Sequence, residues 1–333
     1  MARLWRFFRF RIGCAALCIA AAGTLMGSPA QAGPRWGADY FPDVRLTTHE
    51  GKQVRFYDDL LKGKAVAVNV IYTRCTDECP LETARLAQVQ KLLGERVGRT
   101  VMMYSISIDP EHDTPDVLKA YAQKFDAGPG WLFLTGRQED IRLVTRKLGL
   151  SRNNDALNRD GHSSVLMLGN EPSGEWMRHS AIDNPRFLAT AIGNFFKWED
   201  AGAVLAYGQA RTIDASREQF LFESRCASCH TIGGGDKIGP DLSGLGQRRS
   251  HAWLARYLQE PEQMLAEGDP VATQLFNKYQ QVRMPNLGLA PEEIEGLLSF
   301  IAAMQARPAA GRQANTGSQT RKEGPQHNHQ HEQ

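Results

Sequence analysis

Five consecutive residues carry the clearest chemical signal in this chain, Cys226-Ala-Ser-Cys229-His230. Two cysteines separated by two residues and followed at once by a histidine form the attachment pattern of a c-type haem. Each thiol can add to one vinyl group of the haem, and the histidine is then placed to ligate the iron. The pattern therefore predicts one covalent haem c on Cys226 and Cys229, with His230 as an axial ligand.

The second axial ligand must come from elsewhere in the chain, and Met284 is the best candidate. It lies in Arg283-Met284-Pro285, where the proline restricts Met284 to an extended conformation. A thioether ligand favours reduced iron and raises the potential, which suits electron transfer. Met264 and Met304 are the alternatives. Met304 falls on an amphipathic helix that begins at Pro291, so we expect it in the core, and Met264 falls near a helix end.

A second reactive site is predicted around Cys75 and Cys79, which lie between a buried strand and a helix. A spacing of four residues brings both thiols onto one face if the segment turns helically, close enough for a disulfide or for one metal ion. We expect Cys79 at the amino terminus of the helix, where the dipole favours a thiolate. Two thiolates suit Cu(I), and an added imidazole would also accommodate Cu(II). The best imidazole is His162, which directly precedes a strand.

The six cysteines form three close pairs, of which Cys14 and Cys18 fall in the amino-terminal segment. No pair spans distant parts of the chain, so metal, haem or redox roles are favoured over structural disulfides. The net charge of +2 gives no sign of a nucleic-acid partner. A chain of 333 residues is long enough for two domains with separate cores.

Residues 1–32 have the pattern of a secretory signal peptide. Arginines dominate its start, an uncharged run extends from Ile12 to Met26, and Ala30-Gln31-Ala32 matches a cleavage site. The run is shorter than the ~20 apolar residues of a membrane span. We therefore predict export to the periplasm. The alternative is an uncleaved segment that anchors the protein in the inner membrane, which is the only membrane contact we expect.

Hydrophobic patterning divides the mature chain into two domains. Strands and helices alternate through residues 33–198, which predicts an α/β sheet with covered faces. Residues 199–207 form a predicted linker, and residues 208–306 contain helices only. The tail, residues 307–333, is polar, almost free of large apolar residues, and predicted to be disordered. The predicted strands lie at 43–49, 53–56, 65–72, 101–108, 131–135, 164–168 and 175–178, and the predicted helices of the first domain at 81–93, from 115, 139–148 and 185–196.

The first domain resembles the Sco/SenC family over about residues 38–197. The resemblance is carried by Tyr72-Thr-Arg-Cys75-Thr-Asp-Glu-Cys79-Pro80, by Ser105-Ile-Ser-Ile-Asp-Pro110 with Asp113-Thr-Pro115, and by His162-Ser163. It implies a thioredoxin-like fold with one copper held by Cys75, Cys79 and His162. It also implies copper delivery to, or thiol reduction at, the dinuclear copper centre of a haem-copper oxidase. Gly161 separates Asp160 from His162, a departure from many relatives that puts a supporting role for Asp160 in question.

The second domain resembles the class I cytochrome c family, over roughly the last third of the chain. Besides the haem motif, Ile238-Gly-Pro-Asp-Leu242, Arg283-Met284-Pro285 and the helix that starts at Pro291 carry the resemblance. It implies an all-α fold in which Pro240 packs behind the axial histidine. The whole chain is thus expected to be an α/β thioredoxin-like domain followed by an all-α cytochrome c domain.

Three functions follow from this fusion. The leading hypothesis is a copper metallochaperone for the copper-centre subunit of a haem-copper oxidase, in which the c-type cytochrome exchanges electrons with the copper or dithiol site. The second is a thiol–disulfide oxidoreductase, in which Cys75 and Cys79 are catalytic and the haem is an electron source or sink. The third is an electron carrier whose first domain only docks to the oxidase. Other periplasmic redox proteins are further expected partners.

Overall fold

The first domain is built on a mixed sheet whose strand order is β2-β1-β5-β4-β3-β6-β7. In this computed structural model, residues 36–75, 79–151, 164–199 and 216–305 are described. Strand β3 pairs in parallel with β4, and β4 with β5, whereas the remaining pairs are antiparallel. The strands are β1 Arg45–Thr48, β2 Gln53–Arg55, β3 Ala65–Ile71, β4 Met102–Ser107, β5 Trp131–Gly136, β6 Val165–Asn170 and β7 Glu175–Ser180.

Helices cover the sheet where the sequence predicted them. They are α1 Cys79–Leu93, α2 Pro115–Lys124, α3 Gln138–Lys147 and α4 Pro185–Phe195. The side chain of Thr114 caps α2 by accepting a hydrogen bond from the backbone N–H of Val117, and Pro115 occupies the first helical turn, as expected. The order β4-β3-β6-β7, with α1 between β3 and β4, is the thioredoxin-like arrangement. The predicted α/β fold is therefore confirmed.

Two hydrophobic clusters lie on opposite faces of this sheet. The first includes Phe56, Tyr104 and Leu134 together with both cysteines of the Cys75/Cys79 site. The second contains the buried faces of α1, α2 and α4, with Leu86, Phe125 and Ile192 among its members. Strand β3 is buried on both faces from Val66 to Ile71, as its continuous apolar run predicted.

Only one of the two leucines that end α1 is buried. Leu92 is 49% exposed, whereas Leu93 is buried. Adjacent residues in a helix point about 100° apart, so only one of the two faces the sheet. Most of the remaining α1 side chains are buried, including charged and polar ones such as Glu82 and Arg85.

The second domain consists of helices packed around a small core of its own. They are α5 Arg217–Arg225, α6 Leu245–Arg248, α7 His251–Gln259, α8 Pro261–Ala266, α9 Pro270–Lys278 and α10 Pro291–Gln305. Helices α5, α6 and α7 each contact α10. The core includes Phe222, Cys226, Leu242 and Leu297. The predicted all-α fold is therefore confirmed, and the described residues of both domains belong to one compact unit.

Several predictions fall on residues outside the described ranges. These are the signal peptide, residues 200–207 of the linker, the polar tail, and the segment that contains Asp160 and His162. Among the helices that the structure describes, none combines the length and apolar character that a membrane crossing requires.

Candidate copper and haem sites

The two cysteines of the first site lie together at the carboxyl end of β3. Cys75 follows the strand by four residues, and Cys79 is the first residue of α1. Both are buried, with exposures of 2% and 0%, neither forms a disulfide, and their side chains hydrogen-bond to each other. The two sulfur atoms are therefore close enough to bind one metal ion or to form a disulfide.

Burial decides the protonation of Cys79 in the metal-free protein. It raises the pKa of the Cys79 thiol well above its usual value, and the neighbouring Cys75 and Glu82 raise it further. Cys79 does lie at the amino terminus of α1, but the expectation that the helix dipole would favour its thiolate is wrong for this state. Loss of hydration outweighs the dipole at a site this deeply buried. Binding of a soft metal ion would displace this proton.

A buried carboxylate holds the segment that leads into Cys75. Asp113 accepts hydrogen bonds from the backbone N–H of Thr73 at 3.1 Å, from Thr73 Oγ1 at 2.5 Å and from Ser107 Oγ at 2.6 Å. Beside it, Arg74 forms an ion pair with Asp109 at 2.7 Å. Sequence reasoning did not assign these roles, because 40 residues separate Thr73 from Asp113 and only the fold brings them together.

The predicted third ligand, His162, lies outside the described residues. Within the ranges 36–75, 79–151, 164–199 and 216–305, no group of three His, Cys, Asp or Glu side chains has the arrangement of a metal site. The described ranges bring Cys75 and Cys79 together, and Ser164 is the nearest described residue to His162 in sequence.

The haem motif follows the end of α5 and opens into a cleft. Cys226 caps the helix, and the backbone N–H of His230 donates to the Cys226 carbonyl at 2.9 Å. The cleft contains about 630 Å³ of space and is lined mostly by apolar side chains. Cys229, His230 and Met284 all line it, whereas Met264, which is 1% exposed, and Met304 do not.

The environment of His230 suits an iron ligand. Its Nδ1–H donates to the Pro240 carbonyl at 2.9 Å, which leaves Nε2 as the nitrogen available to a metal. Burial lowers the pKa of His230, so the imidazole stays neutral. A Cβ atom at Gly239 would come within 2.5 Å of His230 Cε1, so this position accepts only glycine without displacing the ring. These contacts, together with the apolar cleft, fit a haem.

Asp241 orders the loop behind the histidine. It accepts hydrogen bonds from the backbone N–H groups of Gly233 at 2.8 Å and Ser243 at 2.7 Å, and from Thr231 Oγ1 at 3.1 Å. Burial alone would raise the pKa of Asp241, but these hydrogen bonds lower it, so the carboxylate is ionised. The motif Gly-Pro-Asp-Leu therefore has a physical basis, since its aspartate closes the loop and its proline carbonyl orients His230.

Comparison with known proteins agrees with this division of the chain. The model of the SCO1/SenC family matches residues 33–193, and the cytochrome c model matches residues 217–305. An SCO2-like protein of Rickettsia prowazekii is 30% identical over 150 residues, which are 43% of this chain and 70% of the relative. An SCO2-like protein of Rickettsia felis is 29% identical over 135 residues, which are 39% of this chain and 64% of that relative.

Solved structures of related proteins each cover about half of this chain. Arabidopsis thaliana ScoI with copper bound is 26% identical and has a TM-score of 0.39, over 47% of this chain and 98% of that one. Yeast Sco1 with copper bound is 23% identical and has a TM-score of 0.38, over 49% of this chain and 93% of that one. By its family match and its curated relative, the chain belongs to the SCO1/SenC family and carries a cytochrome c domain after its SCO1/SenC domain.

Proposed function

We propose that the protein is an exported copper metallochaperone that assembles the dinuclear copper centre of a haem-copper oxidase, and that its cytochrome domain exchanges electrons with the copper-binding site. The observation that carries this proposal is the pair of adjacent buried thiols at the start of α1 in a chain that also forms a haem cleft. A protein of similar structure, BsSco, is described as a member of the Sco family of cytochrome c oxidase assembly proteins. Its proposed location is the periplasm.

Copper is the cargo in this proposal, and Cys75, Cys79 and His162 are its ligands. Two thiolates supply the soft donors that Cu(I) prefers, and the imidazole adds the donor that also accommodates Cu(II). Because burial raises the pKa of Cys79, this residue is a thiol in the empty site, and copper binding releases its proton. The hydrogen bonds from Thr73 to Asp113 keep the Cys75 segment in place while the ion enters or leaves.

The haem would be held by four residues of the second domain. Cys226 and Cys229 provide the covalent attachment, while His230 and Met284 reach the iron from residues that line the same cleft. When bound, the haem supplies a one-electron redox couple. The Pro240 carbonyl fixes the ring of His230 through Nδ1, so Nε2 would be available to the iron, and the apolar lining of the cleft would exclude water.

A thiol–disulfide oxidoreductase is the second candidate function, and the hydrogen bond between the side chains of Cys75 and Cys79 favours it. Formation of a Cys75–Cys79 disulfide removes two electrons, whereas the haem iron carries one. Each disulfide cycle therefore requires two haem turnovers, while reduction of Cu(II) to Cu(I) requires one. This stoichiometry favours copper exchange as the main reaction.

A copper titration of the haem-loaded mature protein tests the proposal. We expect one copper per chain, and we expect His162→Ala to lose Cu(II) while His112→Ala, at an exposed histidine, retains it. Metal content and the Cu(II) electron resonance signal are the readouts. Absence of specific copper, with a Cys75–Cys79 disulfide that ferrous haem removes, would replace the chaperone function with the oxidoreductase function.

A further inference from the structure

The haem-attachment loop of the second domain contacts helix α1 of the first. Gln88 Nε2 donates a hydrogen bond to the backbone carbonyl of Ser228 at 3.1 Å. Ser228 lies inside the haem motif, between Ala227 and Cys229, and is itself buried. Gln88 lies in the middle of the helix that begins at Cys79. One hydrogen bond thus joins the loop of one redox site to the helix of the other.

Apolar contacts surround this hydrogen bond. Cys229, Ile238 and Val282 of the second domain pack against the hydrophobic cluster of the first domain that includes the buried face of α1. All three residues also line the haem cleft. The wall of the cleft is therefore continuous with the core of the first domain, and the haem would be bound next to that core.

A buried charge lies at the same contact. Arg85, three residues before Gln88 and on the same face of α1, is only 4% exposed. The positive charges of Lys237 and Arg85 both act on Cys229, so the guanidinium of Arg85 lies close to the haem-attachment loop. Burial of a charge or a hydrogen-bond donor is costly unless the neighbouring groups are complementary. A contact that buries Arg85 and satisfies the donor of Gln88 is therefore specific for the surface that faces them.

We propose that the outer face of α1, with Arg85 and Gln88 at its centre, is a permanent docking surface for the haem-attachment loop of the same chain, and that α1 is the route for electron exchange between the two sites. Cys79 begins this helix, and Gln88 follows it by nine residues, or roughly 13 Å along the axis. The contact holds Cys229, the thioether-forming residue closest to the first domain, at a fixed separation from the copper-binding thiols.

The electron-exchange part of this inference rests on the proposed function, whereas the docking part does not. The exchange moves one electron, from ferrous haem iron to Cu(II), and yields ferric iron and Cu(I). No bond to either cysteine pair breaks and no proton is needed. A one-electron donor outside the chain then restores the ferrous state. Because both sites belong to one chain, the exchange needs no second protein molecule.

Nuclear magnetic resonance of the haem-loaded, copper-free full chain tests the docking surface. Low-spin ferric iron is paramagnetic, so amides near the haem shift between the ferric and ferrous forms. We expect these shifts in α1 around Arg85 and Gln88. They should be lost in Gln88→Trp, whose indole cannot fit the contact, and retained in Gln123→Trp, a matched change at an exposed position of α2. Wild-type protein without such shifts in α1 would overturn the docking surface.

The electron route has a separate kinetic test. A light pulse reduces the haem in protein that carries Cu(II). The subsequent electron transfer to copper is measured as the loss of ferrous haem absorbance over time. We expect a rate that does not change with protein concentration. We expect Gln88→Trp to lose this concentration-independent transfer, and Gln123→Trp to retain it. A wild-type rate proportional to concentration would overturn the route. Paramagnetic shifts in α1 without any electron transfer to copper would keep the docking surface and reject the exchange in the proposed function.

Discussion

The two cysteine pairs lie at opposite ends of helices, and this difference matches the two chemistries they are suited to. Cys79 begins α1, so its thiol and that of Cys75 converge in one hydrophobic cluster and hydrogen-bond to each other. Cys226 ends α5, and its thiol packs in the core of the second domain, whereas Cys229 packs against the core of the first. The converging thiols of Cys75 and Cys79 can bind one metal ion together. The thiols of Cys226 and Cys229, which pack in two different cores, can each bond to one vinyl group of a haem.

The supports of the two sites differ in a corresponding way. The copper-binding segment is held by the side chain of Asp113 in the adjacent loop after β4. The haem-binding loop is held by the carbonyl of Pro240, the carboxylate of Asp241 and the absence of a side chain at Gly239. Two of the three proposed copper ligands, Cys75 and Cys79, thus lie on a short segment beside a helix start, whereas the proposed iron ligand His230 lies in a closed loop.

Replacement of one converging thiol should give the largest effect. We expect Cys75→Ser to lower Cu(I) affinity at least about a hundredfold, since a hydroxyl is a poor ligand for a soft ion and even supporting residues of metal sites are worth tenfold or more. The measurement is competition with a Cu(I) chelator. The haem absorbance of the same variant should stay unchanged. A Cu(I) affinity equal to wild type would mean that the buried thiols are not the copper site.

Removal of the proposed iron thioether tests the other region. We expect Met284→Leu to lower the haem reduction potential and to alter the absorbance of the ferric form, because the thioether favours reduced iron. Met304→Leu, at a methionine that does not line the cleft, is the matched control and should leave both unchanged. Equal potentials for Met284→Leu and wild type would exclude Met284 as the axial ligand.

We expect Asp113→Ala to lower the free energy of unfolding by about 3 kcal/mol. Three hydrogen bonds to one buried carboxylate are lost in this variant. Asp113→Asn keeps acceptors for most of them and should cost less. Urea denaturation of the copper-free protein provides the measurement. Equal losses of unfolding free energy in both variants would show that the hydrogen-bond acceptors retained in Asp113→Asn do not stabilise the protein.

The same carboxylate predicts a sign for the pH dependence. Burial raises the pKa of Asp113 in the folded state, although its hydrogen bonds partly offset this effect. The folded protein then binds this proton more tightly than the unfolded chain does. The contribution of Asp113 to the free energy of unfolding is therefore complete below the unfolded-state pKa, and it is lost as the pH rises through the folded-state pKa. Wild type should lose stability relative to Asp113→Asn over that interval of rising pH. An identical pH dependence for both would contradict this assignment.

The support of the haem loop should show a smaller effect on stability. Gly239→Ala places a Cβ against the ring of His230 and should cost about 2 kcal/mol, with a change in haem absorbance as the ring moves. Gly246→Ala is the matched control, because no atom lies within 4 Å of the added Cβ and its backbone is helical. If both substitutions behave alike, the close approach of Gly239 does not position the histidine.

Local sequence patterns predicted most of the strands and helices. The features that they did not predict depend on contacts between distant segments of the chain. The buried strand at 65–72 and the start of α2 at Pro115 depend on neighbouring residues, and both are confirmed. The raised pKa of Cys79 and the exposure of Leu92 depend on what surrounds α1. The contact between Gln88 and Ser228 joins residues 140 positions apart, and no periodicity in the sequence encodes it.

The central claim is that the two cysteine sites exchange electrons within one chain, and rapid-freeze electron resonance tests it most directly. Protein with ferrous haem receives one equivalent of Cu(II) without oxygen, and the Cu(II) signal and haem absorbance are followed together. We predict that one Cu(II) signal disappears for each ferrous haem oxidised, and that Cys75→Ser abolishes both changes. A stable Cu(II) signal on the protein beside haem that remains ferrous would contradict the account.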